Sequence, residues 1–296
     1  MCERGLGLVV NLKPISHLFI NLAGNTFVVN GARSPVGICG DWTSPCSNLS
    51  IAISTATPGS TIYVTPGVYT GPGNTDLSFA GKAVTLQSTN GPQVTMINCT
   101  DPVTGTATRG FTFEQGEGRD TIVSGFTVAN GVADTGGCVS ITNGSPTIAN
   151  SIFLACNATT GVSRGGAVYA YGNPGPGPLV IGSAFILNWG IEGAAIYVGG
   201  NSAISIQGCS FQYGICPTAT GRGGALCVVL GNATVSDSTM ENHIVGAMGG
   251  AIMLERAEAI LTNVSVTNNT AGSFGGAFNL FGAYMNISNS NVSGVS

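Results

Sequence analysis

The sequence predicts an all-β fold, a right-handed parallel β-helix with a short N-terminal capping helix. Three observations predict it: a Gly-Gly pattern recurs at a near-constant period, each copy leads into alternating apolar residues, and no helix-length segment separates the copies. The composition agrees. Glycine accounts for 46 of 296 residues, and charged residues for 7%, against about 25% in an ordinary globular chain. So much glycine and so little Lys, Glu and Arg disfavour long helices, while 43% hydrophobic residues can bury a large core. A formal net charge of −4, with nine basic residues scattered along the chain, leaves no electrostatic footprint for nucleic acid. No apolar run approaches the roughly 20 residues that cross a bilayer as a helix.

Residues 1–43 read as an N-terminal extension and residues 44–296 as one β-helix domain. Within the extension, residues 18–30 are apolar and strand-like, while Lys13, Pro14 and His17 make the opening a poor secretory leader. Cys39 and Cys46 bracket a short Gly-Asp-Trp-Thr-Ser-Pro loop and are placed to form a disulfide. The other cysteines read as small buried residues, and nine cysteines without a CxxC pair give no metal site. Ser44 and Pro45 read as the N-cap and first residue of a short helix. Its apolar stripe would be Cys46, Leu49, Ile53 and Ala56, ended by Pro58-Gly59, and it would lid the first coil.

The repeat itself occurs at Gly136-Gly137-Cys138-Val139, Gly165-Gly166-Ala167-Val168 and Gly193-Ala194-Ala195-Ile196. It returns at Gly223-Gly224-Ala225-Leu226, Gly249-Gly250-Ala251-Ile252 and Gly275-Gly276-Ala277-Phe278, with spacings of 29, 28, 30, 26 and 26. After each copy one face carries apolar residues (Val168/Ala170, Ile196/Val198) and the other carries Ser140, Tyr169, Tyr197, Cys227, Met253 and Asn279. A second strand aligns as Ile148, Val180, Ile206, Val235, Leu261, Ile287, then a turn column Asn150, Gly182, Gly208, Asp237, Asn263, Asn289. An apolar column follows: Phe153, Phe185, Phe211, Met240, Val266, Val292. Short strands with no intervening helix must coil, each turn stacking on the last at about 4.8 Å, and parallel crossovers are right-handed. About nine coils, roughly 43 Å in all, are expected. The residue before each Gly-Gly runs Thr135, Arg164, Glu192, Arg222, Met248, Phe274, which reads as a solvent-facing charge ladder of little energetic consequence.

With these columns aligned, the chain resembles the polymorphic outer membrane protein repeats, a branch of the pectin-lyase-like right-handed β-helices marked by GGAI and FxxN motifs. GGAI is intact at Gly249-Gly250-Ala251-Ile252 and FxxN at Phe185 to Asn188; Val266 to Asn269 approximates the latter, while Phe153 and Phe211 lead to Cys156 and Gly214. The resemblance covers residues 40–296, and residues 58–69 and 81–88 are similar to the opening coils of many such proteins. It implies the fold. A membrane barrel follows the repeats in chlamydial members, and this sequence has none.

β-Helix enzymes acting on acidic polysaccharides need an Asp cluster with a basic residue, or a carboxylate pair. The six aspartates (41, 76, 101, 120, 134, 237) do not fall in adjacent cells of one column. Glu114, Glu117, Arg119 and Asp120 read as a solvated loop, Glu255, Arg256 and Glu258 as a strand-to-strand tip, and His17 and His243 as unrelated. No catalytic residue, cofactor or metal is therefore assigned. Three classes compete: an extracellular structural or adhesive rod, a carbohydrate-active enzyme, and a module that binds surface polysaccharide. Tyr169 and Tyr197, adjacent and outward, are the candidate sugar-stacking face, although a cover by the Gly-Pro loop of residues 172–178 is the stronger reading. The preferred reading is a non-enzymatic extracellular glycoprotein.

Asn-x-Ser/Thr occurs nine times, about twice the chance number. The candidates for N-glycans are Asn48, Asn98, Asn143, Asn157, Asn232, Asn268, Asn286 and Asn291; the loop sites Asn143, Asn157, Asn232 and Asn268 should be accessible, whereas Asn263 in the turn column should be hydrogen-bonded and partly buried. The final coil carries no lid, and no charged residue follows Glu258. Head-to-tail self-association is therefore expected, residues 1–35 covering a neighbour's open coil. A chain continuing past Ser296 is the rival explanation.

Overall fold

The computed structural model describes residues 26–29 (backbone), 45–159, 162–173 and 175–296. The chain is an all-β, right-handed parallel β-helix of about nine turns with one short helix near its N-terminal end. Three parallel sheets run its length. The first has ten strands, from Thr26–Val29 through Thr61–Val64 to Tyr284–Ser288, and the second nine, from Gly67–Thr70 to Asn291–Ser293. The third, which carries the Gly-Gly strands, has eight, from Leu77–Ser78 to Phe278–Phe281. A narrow fourth ladder includes Ile215–Cys216, Ile244–Val245 and Thr270–Ala271, and Trp189 bridges it to Asn157.

The stacking register is the one the columns predict. Val139, Val168, Ile196, Leu226, Ile252 and Phe278 pair in succession. So do Phe153, Phe185, Phe211, Met240, Val266 and Val292, with Phe185 stacked at 5.0 Å on Phe153 and 4.7 Å on Phe211. Both columns are buried except at the final coil. There Phe278 is only partly buried and Val292 is 42% exposed, contrary to the expected interior placement, because no further described coil stacks on them.

Two turn types explain the sequence pattern. The first glycine of every Gly-Gly pair has φ between +59° and +69°, and a Cβ there would lie 1.9–2.5 Å from the carbonyl oxygen three residues on. Only glycine fits. At the FxxN position the side chain turns inward and serves the preceding coil. Asn188 Oδ1 accepts from the Cys156 amide (3.0 Å) while its Nδ2 donates to the Phe153 carbonyl (3.2 Å). Asn269 repeats both bonds with the His243 amide and the Met240 carbonyl, each at 3.0 Å. These bonds satisfy backbone groups buried at a corner of the coil.

Several expectations need correction. The helix is Leu49–Thr55 and its N-cap is Asn48, not Ser44: Asn48 Oδ1 accepts the Ile51 amide at 2.9 Å. Lys82 Nζ donates to the carbonyls of Ile53, Ser54 and Ala56, closing the other end. The apolar stripe is as expected, with Cys46, Leu49, Ile53 and Ala56 all in the central core. Cys138 and Cys156, read as unpaired, form a disulfide with Cα atoms 5.5 Å apart. They occupy two inward columns of the same coil, the Ala place of Gly-Gly-Ala and the Asn place of FxxN, which lie side by side at one corner. Cys46 is disulfide-bonded, while Cys39, its expected partner, lies outside the described residues. Thr26–Val29 pairs in parallel with Thr61–Val64 of the same chain, and the rest of the 1–35 segment lies outside the described residues.

Candidate functional site

The outer face of the Gly-Gly sheet gathers most of the chemistry in the chain. Strand alternation turns Tyr169, Tyr197, Cys227 and Met253 outward in successive coils, at paired register positions. Outward does not mean exposed here: Tyr197, Cys227 and Met253 form a second apolar cluster with Tyr169, Val229 and Met248 packed against it. The residues before the Gly-Gly pairs cover that cluster. Arg164 Nε donates to Glu192 at 2.6 Å, Arg222 pairs with Glu192, and Arg222 Nη1 reaches Glu255 at 2.6 Å. The Arg164 guanidinium also lies 5.0 Å from the centre of the Tyr197 ring.

This four-residue chain corrects one reading. The ladder is not solvent-facing, for the Glu192 side chain is 13% exposed and that of Arg222 19%. Glu255 does stand at a strand-to-strand tip, ending Ile252–Glu255 just before Glu258–Thr262, and from there it closes the network. Burial disfavours the Arg222 cation, but hydrogen bonds to Glu192 and Glu255 outweigh it and raise its pKa. Burial raises the Tyr197 phenol well above its usual value. Among the described residues the free thiols are all buried, and burial lifts Cys99 and Cys216 to about 12 and Cys209 to about 11, with Cys227 raised further. None is a thiolate nucleophile near neutral pH.

The tyrosine face is rearranged as well. Tyr197 is 2% exposed, so its ring is not offered to a ligand, whereas Tyr171, 44% exposed and not singled out from the sequence, is. The rings stack as Tyr171, Tyr169, Tyr197, with centroids 5.8 and 5.5 Å apart and planes within 3° and 11°. Tyr171 also lies against the turn at Gly199 and Gly200. The i, i+2 spacing of Tyr169 and Tyr171 on one strand was the available signal. The loop near residues 172–178 is held elsewhere: Arg119 donates to the Pro176 and Gly177 carbonyls, each at 3.1 Å, and the Asn173 amide donates to Ser202 Oγ.

The remaining acid–base candidates are structural. Glu117, expected in a solvated loop, is 1% exposed and accepts the backbone amides of Gly81 and Gln115 at 3.0 and 2.9 Å. His243 replaces the Asn of the FxxN column. Its Nδ1 accepts the Gly214 amide at 2.9 Å, and Nε2 faces the Phe211 carbonyl without reaching hydrogen-bond geometry. Burial lowers its pKa to about 3. Among the described residues no three His, Cys, Asp or Glu side chains converge as metal ligands.

The sequons divide by placement. Asn143, Asn232, Asn268, Asn286 and Asn291 are exposed, whereas Asn98 and Asn157 are partly buried and Asn48 is occupied as a helix cap. Asn263 donates to Asp237 at 2.8 Å as expected, yet it is exposed rather than partly buried, because the turn column stands on the outer ridge.

No protein-family model matches the chain, and no curated protein matches it in sequence. Among solved structures it is similar to a pectin methylesterase from carrot, at 13% identity and a TM-score of 0.52, covering 95% of this chain and 86% of that one. A rhamnogalacturonan lyase (14% identity, 90% and 87% covered, TM-score 0.45) and a pectate lyase (15%, 89% and 79%, 0.45) also match. At such identities the likeness to the carrot protein shows the fold alone.

Proposed function

We propose that the protein is an extracellular, non-enzymatic β-helix that serves as a rigid, adhesin-like rod at a surface. The observation that carries this reading is the Arg164–Glu192–Arg222–Glu255 chain. It spends the acidic and basic groups of the Gly-Gly face on one another and seals the apolar bed beneath them. Partly buried acid and base groups already paired with each other are poorly placed to exchange protons with a substrate. An oxidising, extracellular setting is supported by the Cys138–Cys156 disulfide, and a surface setting by the resemblance to polymorphic outer membrane protein repeats. The pairing of Thr26–Val29 within the chain favours a single rod over a head-to-tail filament. The test is product release from pectic and rhamnogalacturonan polymers, with light scattering on the same sample. No release and a monomeric mass are expected; sustained release defeats the reading.

A second reading, a polysaccharide-binding module, is favoured by the exposed Tyr171 ring backed by Tyr169. Binding on a glycan array that disappears with Tyr171→Ala would establish it over the bare rod.

A further inference from the structure

A different corner of the molecule carries an apolar shelf. In six successive coils, the residue that follows the second-sheet strand turns in the left-handed region: Asn130, Ala155, Leu187, Tyr213, Asn242 and Asn268 have φ between 52° and 60°. Asn tolerates that conformation best among residues with a Cβ, and bulky side chains poorly. Leu187 and Tyr213 are therefore unfavourable choices, and core burial does not compensate, since they are 51% and 48% exposed. Two residues further on, Trp189, Ile215 and Ile244 pair in succession on the outside of the fourth ladder, and Ile244 is 61% exposed. Five large apolar side chains thus lie on three adjacent coils, across about 10 Å. Strained backbone and exposed apolar surface at one place point to a ligand.

Immediately beside the shelf, Gln212 Nε2 donates to Glu241 Oε1 at 2.6 Å, so an amide and a carboxylate border the rings. We propose that this shelf binds a neutral N-acetylhexosamine saccharide. A pyranose presents a C–H face that packs on the Tyr213 and Trp189 rings, and its acetamido methyl suits the aliphatic Leu187 and Ile244. Its hydroxyls and amide find hydrogen-bonding partners in Gln212 and Glu241. The Glu241 carboxylate repels anionic sugars, so uronates are excluded by the same geometry. This adds a ligand to the proposed rod and does not depend on whether the Tyr171 face binds anything.

The test is calorimetric titration of the full chain with the N-acetylglucosamine trimer, using a galacturonate trimer as the acidic control. Binding of the neutral trimer alone is expected, with at least tenfold loss in Tyr213→Asn and in Leu187→Asn. Because Asn suits the left-handed turn, both variants should keep or raise Tm, by roughly 2 °C. Glu241→Gln should let the galacturonate trimer bind measurably. Failure of the neutral trimer to bind, or equal affinity for both trimers, would overturn the proposal. So would a fall of several degrees in Tm for Tyr213→Asn, which would make the ring a structural prop. Tyr213-dependent dimerisation without sugar binding would assign the shelf to a second copy and overturn it equally.

Discussion

Along the Gly-Gly strands, Ile196, Leu226 and Ile252 alternate with Tyr197, Cys227 and Met253, and both rows are buried. The inner row is buried because the chain closes around it and the next coil stacks on it. The outer row is buried because Arg164, Glu192, Arg222 and Glu255 fold over it and hold one another there. The same degree of burial therefore has two origins, one set by backbone topology and one by a charged side-chain network. The first should be sensitive to volume, the second to charge.

The contrast can be broken most directly at paired positions. Leu226→Ala, in the inner row, should cost about 2–5 kcal/mol in chemical denaturation. Cys227→Ala, its outer neighbour, should cost only about 1 kcal/mol, since one small group is lost beneath a cover that remains. Equal costs would mean the outer cluster is as tightly packed as the core. The Cys138–Cys156 staple ties together two segments of one coil, and replacing both cysteines by Ser should cost about 3 kcal/mol for a loop of 18 residues.

Charge sensitivity should appear at Glu192. Glu192→Gln leaves Arg164 and Arg222 without their shared partner, and a loss of about 1–3 kcal/mol is expected, less than for full burial because the arginines keep some solvent. Thermal melts of both proteins would show it, with Leu226→Ala unaffected by added salt and the wild-type advantage over Glu192→Gln shrinking.

The smallest effect near neutral pH belongs to His243. Its folded pKa of about 3 lies below the ordinary 6.5, so the unfolded chain takes up the proton first as pH falls. Stability from this group is complete above pH 6.5 and is lost between pH 6.5 and 3, at up to about 1.4 kcal/mol per pH unit. His243→Asn restores the amide of the column, so it should leave stability unchanged at pH 7.5 and flatten the acid limb. A steep acid limb in that variant would place the titration elsewhere.

Residue by residue, the fold was highly legible. Val180, Ile206, Val235 and Leu261 align in sequence and pair in space because period-two alternation and a fixed turn residue leave a parallel coil one register. The candidate site was legible in part: the column Arg164, Glu192, Arg222 and the Tyr169–Tyr197 pair were aligned correctly, but their burial was not. Tyr171 looked like any strand residue, and Glu117 like part of a polar loop, since neither shows in one dimension what the neighbouring coil places over it.

By itself the sequence determined what repeats: the coil period, the stacked columns, and the glycines whose left-handed turn admits no Cβ. These depend on local geometry multiplied along the chain. Only the tertiary structure decided which outward residues are covered, that Cys138 meets Cys156, and that His243 stands in for an asparagine. Those outcomes depend on contacts between residues some 18–33 positions apart in the chain. Stacking brings such residues within bonding distance, while the directions of their side chains are set by the coils above and below.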